Sequence, residues 1–141
     1  MKKTIFIGVL LPLFLFTFSQ TQDSSKPIAP YSPFVKAGNT FYLAGQIPID
    51  STTGKLVKDD IQQATKVVML NIGAILRKNG MDYSNLVKCT VYLKDLNNYK
   101  LMNEVYASFF DGKYPARVAV EVARLPLDAD IEISSIAVKL K

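Results

Sequence analysis

The sequence predicts an α+β domain with five strand-like runs and two helical runs in the order ββαβαββ. Three observations carry that prediction. Short stretches rich in Val, Ile, Tyr and Phe alternate at period two and are bounded by Gly, Asn, Asp and Pro. Two longer stretches repeat apolar residues at three- and four-residue spacing. The helical stretches alternate with strands, so both can cover one face of a single sheet.

Phe34–Ala37 and Thr40–Gln46 are strand-like runs joined at Gly38-Asn39, a two-residue hairpin signal. Residues 50–54, with two threonines and Gly54, form a turn cluster. Helical periodicity begins at Asp59 or Asp60, an acid suited to a helix N-terminus. Ile61, Ala64, Val68, Ile72, Ile75 and Leu76 make one apolar stripe, and Asn79-Gly80 ends it. Leu86–Leu93 is the third strand, with Val87, Cys89, Val91 and Leu93 on one face and Lys88, Thr90 and Tyr92 on the other. Asp95 or Asn97 is expected to cap a second helix, whose buried stripe is Met102, Val105, Tyr106 and Phe109. Asp111-Gly112 closes it.

The fourth strand lies within residues 114–126, bracketed by Pro115 and Pro126. Period two puts Val118, Val120 and Val122 on one face and Arg117, Ala119 and Glu121 on the other. Residues 127–130 turn into a last strand over 131–139. One face of the sheet is expected to be richly apolar and to belong to the helices. The second carries Tyr92, Thr90, Ala119, Ile136 and Val138 among a few charges, too apolar in places to lie open, which suggests a subunit interface.

The 141 residues suit one domain behind a distinct start. Lys2 and Lys3 precede an almost unbroken apolar run over residues 5–18, shorter than the ~20 residues a membrane-spanning helix needs. Thr17 and Ser19 are small residues where a signal peptidase reads. Residues 1–19 are therefore expected to be a signal peptide, 20–30 a linker and 31–141 the domain. The product would be exported to a periplasm or medium, with no stable membrane association after cleavage; the alternative is an uncleaved membrane anchor.

Removing that leader takes away two lysines and no acid, so the formal charge of +5 falls to a mild excess. The bases are scattered among acids, with no basic stripe and no interleaved aromatics, which disfavours nucleic acid as a partner. Cys89 is the sole cysteine, on the apolar side of its strand, and reads as a buried structural thiol. There is no histidine, which excludes Ser-His and Cys-His catalysis and His-ligated metal sites.

Two residue types remain for chemistry. The Arg117 guanidinium, at the mouth of a strand, can hold a carboxylate through paired hydrogen bonds. Glu132, flanked by Ile131 and Ile133, would have a raised pKa if partly desolvated, suiting proton exchange with water. Glu121 is the competing acid, and Arg124 could simply pair with it.

Pro115-Ala116-Arg117 followed by residues 120–126 (Val-Glu-Val-Ala-Arg-Leu-Pro) resembles the signature of the reactive intermediate deaminase (Rid/YjgF) family, most closely its RidA-like subfamily. The likeness extends through Ala29-Pro30-Tyr31-Ser32, Gly45-Gln46-Ile47-Pro48, residues 91–96, Asn103-Glu104-Val105-Tyr106 and Ile131-Glu132-Ile133, in the right order and spacing. It covers about residues 26–141. It implies a chorismate-mutase-like fold with two helices on one face and a homotrimer with sites in the clefts between subunits. It implies hydrolysis of 2-imino and enamine acids, such as 2-aminoacrylate and 2-iminobutanoate, to 2-keto acids and ammonia, with no metal or cofactor.

Carried over by position, the resemblance implies that Arg117 holds the substrate carboxylate and Glu132 positions water. Tyr31 lines the cleft from the N-terminal segment, and Asn103 supports it. Gly45 lets the backbone approach the ligand, and Ala119 offers its backbone N–H. Ala119 stands where many relatives have cysteine, and Ala44 where many have serine; the serine's hydroxyl is lost here. The runner-up is a non-catalytic trimeric binder of small carboxylates. A ribonuclease or translation inhibitor, roles attached to some relatives, is disfavoured by the mild charge and missing histidine.

Overall fold

The computed structural model describes residues 30–140. The expected leader and nearly all of the expected linker lie outside the described residues. Strands β1 (Phe34–Ala37), β2 (Thr40–Gln46), β3 (Leu86–Leu93), β4 (Ala116–Glu121) and β5 (Ile131–Val138) form one mixed sheet in the order β1-β2-β5-β3-β4. Helices α1 (Ile61–Lys78) and α2 (Tyr99–Ala107) pack on one face of it. The expected order ββαβαββ and the α+β class hold.

The hairpin is as short as its sequence requires: Ala37 pairs with Thr40, and Gly38 supplies the turn with φ of +59°. Asp60 rather than Asp59 caps α1, its side chain accepting from the Gln63 N–H at 2.9 Å. Asp59 adopts φ of +63° and donates its N–H to Asp130 Oδ2 at 2.8 Å, tying the start of α1 to the start of β5. At the other end the Gly80 N–H bonds Arg77 O and the Met81 N–H bonds Leu76 O, both at 3.0 Å, so the Asn79-Gly80 stop is a Schellman motif. Val68, Met69, Ile72 and Leu76 are fully buried against Val91, Leu93, Ile131 and Ile133. Each such side chain contributes about 1.5–3 kcal/mol of burial.

The second helix starts later than its sequence suggests. Asp95 caps a 3-10 turn, Leu96–Asn98, and α2 follows from Tyr99 with no side-chain cap. Met102 and Tyr106 are its buried residues, whereas Val105 and Phe109 are only half-buried.

The main correction concerns β4. It pairs in parallel with β3, in a register that sets Arg117 beside Cys89 and Ala119 beside Val91. Cys89 and Val91 are buried under the helices, so Arg117 and Ala119 share the helix side. Val118 and Val120, beside Thr90 and Tyr92, face the other way and stand 43% and 39% exposed. Ala119 therefore leaves the set expected on the open face, and two valines join it. Valine at an edge strand carries no information about which face the helices cover; the pairing partner decides.

Candidate active site

β3, α2 and β4 form a crossover unit that lays one face of α2 over the start of β4. Tyr99, Asn103 and Tyr106, at i, i+4 and i+7, share that face. Arg117 rises into it. Its Nη2 donates to Asn103 Oδ1 at 2.6 Å and to the Tyr99 hydroxyl at 3.2 Å. The guanidinium carbon sits 4.6 Å from the centre of the Tyr106 ring and 5.6 Å from that of Tyr99, distances typical of cation–π attraction. A cleft of about 400 Å³ opens beside it, lined by Tyr99, Asn103, Tyr106, Tyr114, Arg117 and Ala119.

Every group around that cation is neutral. Among the described residues no carboxylate forms an ion pair with Arg117. The Asn103 amide, and after it Arg117, hold the Tyr99 hydroxyl below its usual pKa. Among the described residues the buried Tyr106 hydroxyl has no hydrogen-bond partner, and burial pushes its pKa well up, so it stays protonated. A fixed positive charge in a cleft with neutral hydrogen-bonding walls suits one small anionic ligand.

Glu132 lies elsewhere. Its register partner is Tyr92, whose other neighbour is Val120, so all three project from the open face. Arg117 lies beside Cys89, whose other neighbour is Ser135, and projects from the helix face. Burial raises the Glu132 carboxyl above its usual pKa, and among the described residues no donor hydrogen-bonds to it. A bulge in β2 between Leu43 and Gln46 brings Gly45 against it. A Cβ on Gly45 would overlap Glu132 Oε1, so the missing side chain makes room for this carboxylate.

The sequence-derived site residues thus separate into two groups. Arg117, Asn103 and Ala119 meet in the cleft under α2. Glu132 and Gly45 meet on the open face. Tyr31 joins neither: it stands 64% exposed and makes no hydrogen bond among the described residues. Ala119 lies on an edge strand, which leaves half of that strand's backbone N–H groups without a strand partner.

The competing reading of Glu121 and Arg124 is overturned. Glu121 accepts the Leu96 N–H at 2.8 Å, stitching β4 to the turn before α2. Arg124 forms a two-point pair with Asp128, at 2.7 and 3.2 Å. Cys89 is fully buried with Sγ 3.5 Å from Ser135 Oγ, a packing thiol as expected. Sequence reasoning missed Tyr99 and Tyr114. The spacing of Tyr99 from Asn103 was a usable signal, but only once Asn103 was itself assigned to the cleft.

The family model described as Endoribonuclease L-PSP matches residues 21–139. A RutC family protein of Pyrococcus horikoshii is 55% identical over 119 residues, 84% of this chain and 94% of its own length. The mouse 2-iminobutanoate/2-iminopropanoate deaminase is 40% identical over 119 residues, 84% of this chain and 88% of its own. The crystal structure of Escherichia coli TdcF with bound serine superposes with a TM-score of 0.76 at 39% identity, covering 80% of this chain and 91% of that one. On sequence and fold together, the chain belongs to the Rid/YjgF family and has its chorismate-mutase-like fold.

Proposed function

We propose that this chain hydrolyses reactive 2-imino and enamine carboxylates, such as 2-iminobutanoate and 2-aminoacrylate, to the 2-keto acid and ammonia. Reactive-intermediate deamination is the activity class for which the Arabidopsis and mouse relatives are named. The observation that supports it most is Arg117, a cation in a cleft whose partners among the described residues are neutral.

The chemistry asks little more of the protein. An imine carbon is already electrophilic, so water attacks it without a metal, a cofactor or an activated nucleophile. Arg117 fixes the substrate carboxylate, which fixes the imine carbon next to it. Glu132, its pKa raised by burial, takes a proton from water as the oxygen bonds to that carbon. The C=N π electrons move to nitrogen, which takes a proton from solvent, and a carbinolamine results. Glu132 returns its proton to the amine, the hydroxyl oxygen's lone pair forms the C=O bond as the C–N bond breaks and ammonia leaves, and the protonated ketone gives its proton back to solvent.

Arg117 and Glu132 open on opposite faces of one sheet, so one chain does not present both to one small molecule. We therefore infer a homotrimer in which the Arg117 cleft of one copy meets the Glu132 face of the next. The exposed Tyr42, Val118 and Val120 on that open face favour burial against a partner. Export of the mature chain belongs to the same proposal; the family match begins at residue 21, just behind the expected cleavage.

Purified protein mixed with an amino-acid oxidase that generates imines in place tests the activity. Keto acid should appear faster than in a control without the chain. Keto-acid binding with no acceleration would instead support a non-catalytic carboxylate binder, a reading that Ala44 favours through the hydroxyl it lacks.

A further inference from the structure

We propose that the Tyr99 hydroxyl is a further ligand of the substrate carboxylate, holding Arg117 in position before substrate enters and hydrogen-bonding the carboxylate afterwards. The inference rests on the reading of the Arg117 cleft as a site for 2-imino or 2-oxo carboxylates.

The geometry of a guanidinium carries the argument. A carboxylate can take two parallel N–H bonds from arginine either side-on, through Nε and Nη2, or end-on, through Nη1 and Nη2. Both arrangements need a hydrogen on Nη2. Here Nη2 already donates to two acceptors, Asn103 Oδ1 at 2.6 Å and the Tyr99 hydroxyl at 3.2 Å, and it has two hydrogens to give. Nη1 is 4.0 Å from Met102 Sδ, a weak acceptor. A paired carboxylate therefore has to displace one of the two oxygen partners.

Distance and exposure decide which. The Asn103 bond is the shorter, and Asn103 is half-buried. Tyr99 makes the longer bond and is 42% exposed, so its ring has room to shift. Tyr106 has no such freedom: it is buried beneath the guanidinium. Tyr99 is thus the partner that yields.

A hydroxyl that yields remains useful. As acceptor from Arg117, Tyr99 does not spend its own hydrogen on that contact, and it lines the cleft the carboxylate would enter. Turning that hydrogen onto the carboxylate exchanges one long guanidinium–hydroxyl bond for two bonds to an anionic acceptor, one from Arg117 and one from Tyr99. The exchange therefore favours binding. Asn103 and Arg117 also hold the hydroxyl below its usual pKa, which makes it a better donor.

The test compares wild type, Tyr99→Phe and Arg117→Lys in two assays: calorimetric titration with 2-oxobutanoate, and imine hydrolysis with the oxidase-coupled supply. Tyr99→Phe should weaken 2-oxobutanoate about tenfold and raise KM by a similar factor, with kcat within about threefold, as the loss of one hydrogen bond to a charged group predicts. Unchanged affinity and KM in Tyr99→Phe, alongside weakened binding in Arg117→Lys, would overturn the inference and leave the functional reading standing. A fall confined to kcat would overturn it as well. Wild-type protein that binds 2-oxobutanoate without accelerating hydrolysis would sink the functional reading alone, and the titration would still decide the role of Tyr99. No binding to wild type would overturn both.

Discussion

The carboxylate of Glu132 fills the space that a Cβ on Gly45 would occupy. The atom in the way is the far end of a side chain that can swing, so Gly45→Ala should fold and melt close to wild type. The carboxylate, however, has to move. A displacement of about an ångström at a reacting group costs up to about 10²-fold in rate. Imine hydrolysis by Gly45→Ala should fall by that order, read as the rate of keto-acid formation. An unchanged rate would detach Glu132 from the chemistry.

Arg117→Lys separates charge from geometry. Lysine keeps the charge but donates from a single point on a flexible stem. Activity should fall by about 10²-fold or more, on the order of 3 kcal/mol of transition-state stabilisation. Arg124→Lys is the control, because Arg124 pairs with Asp128 at the surface. Exposed pairs of that kind are worth about 0–1 kcal/mol. Retention of most activity in Arg117→Lys would move the carboxylate clamp elsewhere.

Elements with local signals were legible in the sequence. The stripe from Ile61 to Leu76, the Asp60 cap, the Gly38-Asn39 hairpin and the Asn79-Gly80 stop each rest on contacts within a few residues. Pairing across the sheet was not legible. Whether Val118 or Ala119 faces the helices depends on the register of β4 against β3, and the set that does face them, Arg117, Ala119 and Glu121, is the less apolar of the two. The same gap explains Arg124, whose partner Asp128 sits in a turn where Leu127 and Asp128 both adopt φ of +57°. Period two alone puts Arg117 and Glu132 on strands, but only the register through Cys89 and Tyr92 shows them on opposite faces.

The raised pKa of Glu132 has two consequences for pH. As a base it must be ionised, so activity should climb with pH through a midpoint above 4.5, the group's ordinary value. For stability the sign is opposite. The folded chain binds this proton more tightly than the unfolded chain, so the group's contribution is complete below the ordinary value and is lost as pH rises through the folded-state one. Glu132→Gln, which resembles the protonated form, should lose the activity limb and melt no lower than wild type at neutral pH. A pH–rate profile and melting curves for the two proteins check both statements.

The N-terminus gives a prediction independent of the site. Lys2, Lys3 and the apolar run over residues 5–18 are the basis for cleavage after Ser19. Mass spectrometry of protein from its native host should find a chain beginning at or near Gln20. A chain that retains Met1 in a soluble cytoplasmic fraction would defeat the export proposal.

The division of Arg117 and Glu132 between two faces of the sheet makes the assembly itself testable. Arg117→Ala and Glu132→Gln should each be nearly inactive alone, for different reasons: the first lacks the clamp and the second the base. Mixed after unfolding and refolded together, they would form hybrid trimers. In those hybrids some clefts pair an intact Arg117 from one variant with an intact Glu132 from the other. If each site is built from two neighbouring copies, random assembly of equal amounts restores both groups in about a quarter of the sites. Activity should therefore recover to about a quarter of wild type. A site built within one chain would always lack one of the two groups, and the mixture would stay as inactive as its parts. Light scattering on the same samples should report trimers of wild-type mass; a monomer would refute the shared site whatever the activity.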